Sequence, residues 1–155
     1  MPLLHVSAER TIPAPANAVY ALLADYRNGH PRFLPPAFSD LTVLRGGIGA
    51  GTEIRFAPDL AGRRDEIEAR VDEPEAGRVL SETYPEKSAV TRFTVDPVGD
   101  RSRVRIETTW KSSRGLAGPI ERLVASRLFR KLYAQELDLI ECWAIDQDSK
   151  GTRVV

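Results

Sequence analysis

Apolar and polar residues alternate with a period of two through most of the first 111 positions, and the last third changes to a helical period. His5–Ile12 places Val6, Ala8 and Ile12 on one face and Ser7, Glu9 and Thr11 on the other, with Arg10 breaking the alternation. Strands are predicted over 40–45, 52–56, 63–72, 78–84, 89–96 and 103–111. The last is the most regular, with Val104, Ile106, Thr108 and Trp110 opposite Arg103, Arg105, Glu107 and Thr109. Turn-type clusters at 74–77, 85–88 and 97–100 separate them. Connections this short make antiparallel hairpins, because a parallel crossover needs about a dozen residues or more. Charges of both signs on one face suit cross-strand pairing in water, so that face is wet and the other faces a core.

Two helices are predicted. Pro13 and Pro15 end the first strand and open a short helix over 16–26, with Val19, Leu22 and Leu23 at helical spacing. Residues 27–36 mix Asn28, Gly29 and three prolines with Phe33 and Leu34, a second short helix or a loop folded back over an apolar surface. The closing helix runs from Gly118-Pro119 to about Ile145, and its roughly 28 residues reach about 40 Å, enough to cross a whole small domain. Its apolar stripe migrates. Leu116, Ile120, Leu123, Val124 and Leu128 align, while Leu132, Leu139, Ile140 and Trp143 lie about a third of a turn or more away. The second half is therefore expected to pack on the sheet. The first half is expected to roof a space, presenting Leu116, Ile120, Val124 and Leu128 to whatever fills it. The class is α+β, a curved antiparallel sheet around a long C-terminal helix, with residues 1–146 forming one domain and 147–155 a disordered tail.

Composition narrows the function classes. Lys plus Arg and Asp plus Glu both total 22, so the basic surplus of a nucleic-acid binder is missing. The single Cys142 allows no internal disulfide and no cysteine zinc cluster. No stretch approaches the roughly 20 apolar residues of a membrane span, and the N-terminus lacks a secretory pattern, so a cytoplasmic protein is expected. Oligomeric state is not legible.

Candidate chemistry is sparse. Gly46–Gly51 precedes a strand pattern rather than a helix, so it reads as a hairpin, or in a functional version a mobile flap, and not as a phosphate loop. His5 and His30 have no metal-ligand spacing, no metal or cofactor is expected, and His30 beside Pro31 reads as a loop residue rather than a general base. Glu82 shares a face with Leu80 and Tyr84. Pointing inward it is a carboxyl in an apolar cavity, and pointing outward it pairs with Arg92 in the charged ladder. The ladder is the favoured reading. Phe33, Phe38, Phe56, Tyr84, Phe93, Trp110 and Tyr133 fall where they can face a core or a cavity.

The order of elements then becomes specific. A strand leads into Ile12-Pro13-Ala14-Pro15-Ala16 and a helix, followed by Asp25-Tyr26-Arg27-Asn28-Gly29-His30-Pro31-Arg32-Phe33-Leu34-Pro35, a glycine-rich hairpin, a strand meander and the closing helix. From about Leu3 to Ile145 this resembles the START-like, or SRPBCC, superfamily, in particular its polyketide cyclase/dehydrase branch. The resemblance implies a helix-grip (START/Bet v 1-like) fold, with seven antiparallel strands curled around the helix and enclosing an apolar cavity. It carries over no shared catalytic set, and the cysteine and histidine ligands of a Rieske centre are missing. The leading function is binding of a hydrophobic small molecule, a lipid, isoprenoid or polyketide-like ring system, in a carrier or sensor role. Its contacts would come from Phe33, Phe56, Glu82, Tyr84, Phe93, Trp110, Ile120, Val124 and Leu128. The alternatives are a cyclase, aromatase or dehydratase using Glu82, Tyr84, Arg92 or Tyr133, and a protein-interaction module.

Overall fold

The computed structural model describes residues 3–38, 40–60, 62–111 and 118–152. Leu3–Ile12 forms β1, and Pro13 and Pro15 release the chain into helix α1 at Ala16–Ala24, which buries Val19, Leu22 and Leu23. Residues 27–36 resolve into two 3-10 turns, His30–Phe33 and Pro36–Phe38. Strands β2 (Thr42–Arg45) and β3 (Glu53–Phe56) flank the glycine loop, and a two-residue pair, β4 (Asp59–Leu60) and β5 (Arg63–Arg64), follows. The meander is completed by β6 (Ile67–Glu75), β7 (Val79–Tyr84), β8 (Ala89–Val98) and β9 (Arg101–Lys111). Helix α2 runs from Gly118 to Thr152, past the expected end near Ile145.

Seven strands make one antiparallel sheet in the order β1-β9-β8-β7-β6-β3-β2. Along β9, Val104, Ile106 and Thr108 are buried while Arg103, Arg105 and Glu107 face outward. The outer face is the expected charged ladder: Arg92 stands opposite Glu107, Arg105 opposite Glu9, and Arg55 opposite Glu68. The inner face meets α1 and the second half of α2, where Leu137, Ile140 and Ala144 are buried against the sheet. Each fully buried Leu or Ile here contributes about 1.5–3 kcal/mol.

Arg10 breaks the alternation of β1 for a local reason. Its guanidinium bonds Asp138 and Glu141 of α2, so a charge on the inner side of the edge strand is met by two carboxylates of the helix that crosses it. Burial divides α2 as expected, residues 123–131 being exposed or half-buried and Leu132 opening the buried half, but Val124 and Leu128 do not roof the interior space.

The glycine loop is a hairpin, but it is docked rather than free. Gly47 and Gly49 bond the end of α1 through Tyr26 N–H and the Ala24 carbonyl, and Ala50 N–H donates to Glu73 at 2.8 Å. Gly49 has φ +62°, a conformation that favours glycine, and a Cβ there would push the Glu73 carboxylate off its bond to Ala50 N–H. The loop contributes no residue to the cavity described next, and the flap reading gives way to this tether.

Candidate functional site

Between the inner face of the sheet, the two 3-10 turns and the middle of α2 lies a cavity of about 410 Å³. That is within the range of pockets that enclose a small organic molecule. Alternation on β7, β8 and β9 places Glu82, Tyr84, Thr91, Phe93, Thr108 and Trp110 on its wall. Phe56 enters from β3, and Phe38 meets it edge to face at 5.9 Å. From α2 come Phe129, Tyr133 and Glu136, spaced as one helical face.

Glu82 faces inward, which overturns the favoured ladder reading. Its register partner on β8 is Thr91, whereas Arg92 pairs with Ser81 and Glu107 and is exposed on the wet face. Arg92 is thereby removed from any cavity chemistry. The Glu82 carboxyl is 4 % exposed and accepts hydrogen bonds from Tyr26 Oη at 2.7 Å and from Tyr84 Oη. Burial and the adjoining Glu82 charge both push the two phenols well above the usual tyrosine range, so they remain donors.

His30 is not a loop residue in solvent. It is 2 % exposed, stacked on Tyr26 with ring centres 4.3 Å apart and packed on Phe33 and Phe93. Its Nδ1 lies 2.9 Å from the Leu23 carbonyl, which can only accept, so Nδ1 carries a proton. Nε2 then faces Glu82 Oε1 at 3.4 Å, a contact that is attractive when the pair shares one further proton. Burial lowers the imidazole pKa, opposed by the Glu82 charge.

Four more polar groups face the cavity. Thr91 and Thr108 hydroxyls are 2.7 Å apart, and Thr108 bonds Tyr133 Oη, a chain running from sheet to helix. Burial, with Glu136 nearby, raises the Tyr133 phenol above its ordinary range. Glu136 is 4 % exposed and its Oε2 has no hydrogen-bond partner among the described residues. Desolvation first, and the Glu82 charge second, push its carboxyl well above the usual range, which favours the protonated form.

Of the residues expected at a ligand, the structure gathers Phe56, Glu82, Tyr84, Phe93 and Trp110 on the cavity wall. Phe33 is fully buried behind it against His30 and Phe93. Val124 is 57 % exposed and Leu128 half-buried, and neither lines the cavity. The face turned inward is Phe129–Tyr133–Glu136, rotated from the expected one. Leu116 and the side chain of Ile120 lie outside the described residues. Sequence reasoning missed His30 and Glu136. Their signals were faint: an acid among apolar neighbours at Glu136-Leu137, and a histidine beside two buried aromatics. Among the described residues no group of three or more His, Cys, Asp or Glu is placed to hold a metal ion, and no helix is long and apolar enough to cross a membrane.

Comparison with known proteins agrees with this architecture. The profile of a family described as polyketide cyclase / dehydrase and lipid transport matches residues 4–142. The solution structure of the KanY protein is similar at TM-score 0.81 and 28 % identity, over 93 % of this chain and 99 % of that one. A protein from Thermus thermophilus reaches 0.73 at 25 % identity, over 92 % and 98 %. The Zhui aromatase/cyclase of Streptomyces sp. R1128 reaches 0.68 at 18 % identity, over 99 % and 98 %, a likeness of fold. No curated protein sequence matches significantly.

Proposed function

We propose a function for a chain that belongs to the polyketide cyclase / dehydrase and lipid transport family: it binds, in the cavity under α2, an apolar small molecule that carries at least one hydrogen-bonding group. One observation carries the reading. The surface of the wall is mainly apolar, with rings from Phe38, Phe56, Phe93, Trp110 and Phe129 in it, and Glu82, Thr91, Thr108, Tyr133 and Glu136 face the same space. A ring system suits such walls, because offset and edge-to-face contacts add about 0.5–1.5 kcal/mol per aromatic pair beyond burial. Native mass spectrometry of the purified protein, with ligand titration followed by amide NMR shifts, tests it. A ring-bearing ligand should shift resonances of Phe93, Trp110 and Tyr133. A protein that stays empty across lipid, isoprenoid and aromatic polyketide panels refutes it.

A second reading is favoured by a specific arrangement, a neutral acid at Glu136 and the His30–Glu82 pair facing one water-poor space. In a ring closure with loss of water, His30–Glu82 would accept the proton from the carbon next to a carbonyl. The carbanion so formed would bond to a second carbonyl carbon while Glu136 protonates that carbonyl's oxygen. Return of the proton from His30–Glu82 to Glu136 would reset both groups. His30–Glu82 would then take a second proton from the same carbon, and Glu136 would protonate the hydroxyl, which leaves as water. Binding in one folded conformer would supply the proximity term. The aromatase/cyclase named among the structural neighbours makes this chemistry worth assaying. A flexible poly-β-ketone mimic should cyclise faster with protein than without, and more slowly with Glu136→Gln. Identical rates with and without protein remove the reading.

A further inference from the structure

Resting on the binding reading above, the geometry points to a selection rule: we infer that the cavity takes neutral ligands, whose hydroxyl or carbonyl pairs with Glu136, and refuses carboxylate-bearing ones. The cavity-facing Glu136 carboxyl is nine-tenths and more buried, and its Oε2 has no partner among the described residues. An orphan buried polar atom costs free energy until something satisfies it, so an entering hydroxyl or carbonyl recovers that loss. A neutral carboxylic acid offers both a donor and an acceptor, and a ligand of either type is served.

The charge inventory supplies the refusal. Facing Glu136 from β7 are Glu82 and Tyr84, from the first 3-10 turn His30, and from its own helix Tyr133. His30 is committed at Nδ1 to the Leu23 carbonyl and at Nε2 to Glu82. With one proton between them that pair has no net charge, and with none it is negative. No buried cation remains among the described wall residues to meet an anion. Lys87 and Asp65 also line the cavity but are exposed, where a lone cation is screened and opposed by an acid of the same rim. A carboxylate inside would lose its hydration without a counter-charge. Fatty-acid anions are thus the lipid class this cavity excludes, and ring alcohols and ketones the class it accepts.

Three probes of one ring system separate the possibilities: naphthalene, 2-naphthalenemethanol and 2-naphthoate, titrated by amide NMR shifts or ligand fluorescence near neutral pH. The alcohol should bind about tenfold or more tighter than the carboxylate, and several-fold tighter than the hydrocarbon. Glu136→Gln keeps a donor and an acceptor and should hold the alcohol within about threefold of the parent. Glu136→Leu removes the orphan group without leaving a hole, so it should fold, and the alcohol's advantage over naphthalene should disappear. A carboxylate that binds as tightly as the alcohol overturns the inference. So does a Glu136→Leu protein that still prefers the alcohol. If all three probes bind equally, the selection rule fails and the binding reading stands. If none binds, the selection rule falls, and the lipid, isoprenoid and polyketide panels decide the binding reading.

Discussion

Replacing Glu136 by Gln should change how stability depends on pH more than it changes stability at any one pH. The side chains are near-isosteric, so the packing of α2 beside the cavity is kept while the titrating group is removed. In the folded protein burial and the Glu82 charge raise the Glu136 pKa well above its ordinary 4.5, whereas the unfolded chain titrates near 4.5. Between those two values the folded state holds a proton that the unfolded state has released. Stability from this group is therefore complete below pH 4.5 and declines as pH rises toward the folded pKa.

One proton of difference sets the slope at no more than about 1.4 kcal/mol per pH unit. Across two pH units the parent should thus lose up to about 3 kcal/mol relative to Glu136→Gln. Urea unfolding of both proteins at steps from mildly acidic to mildly alkaline pH gives the difference directly. His30, whose lowered pKa costs stability as pH falls below 6.5, is common to both proteins and cancels. A free-energy difference that stays flat across the series would mean that Glu136 titrates normally, and the neutral-acid role built on it would go with it.

Other perturbations test the remaining parts of the argument. Tyr26→Phe removes a 2.7 Å donor from buried Glu82 and should cost about 1–3 kcal/mol by urea midpoint, with no loss expected if Glu82 were solvated. Gly49→Ala forces Glu73 aside from Ala50 N–H and Tyr20 Oη at a position with φ +62°, and should destabilise by about 1–3 kcal/mol in thermal melts. Leu137→Ala should cost about 2–5 kcal/mol and Val124→Ala less than about 0.5, and equal costs would contradict the division of α2 into packed and unpacked halves.

The sheet was legible because its signal is periodic. Val104, Ile106 and Thr108 alternate with charges, and a two-residue period survives without knowledge of neighbouring strands. The direction of Glu82 was not legible for the same reason. Both faces of β7 mix apolar and polar residues, so periodicity gave no preference, and cross-strand register settled it by placing Glu82 opposite Thr91. Residues 27–36 were partly legible. The prolines and glycine marked a break, but the fold of two 3-10 turns that buries His30 under Phe33 depends on contacts with β8, which are remote in sequence. Chemistry carried by single buried side chains leaves little trace in a pattern of types.

Helix α2 shows how one segment serves stability and site without conflict. Its buried set, Leu137, Ile140 and Ala144, joins the core and fixes the helix from the middle onward. Phe129, Tyr133 and Glu136 sit on the turns just before that anchor, so they are held by its packing while pointing into the cavity. One side of the helix serves both duties in sequence: Phe129, Tyr133 and Glu136 meet the cavity, and Ile140 and Ala144, one and two turns beyond Glu136, continue that side into the core. Placing Glu136 beside Leu137 satisfies both. The carboxyl meets the cavity and the leucine meets the core. An acid kept where a leucine could have packed is what the proposed pairing of Glu136 with a ligand hydroxyl or carbonyl accounts for.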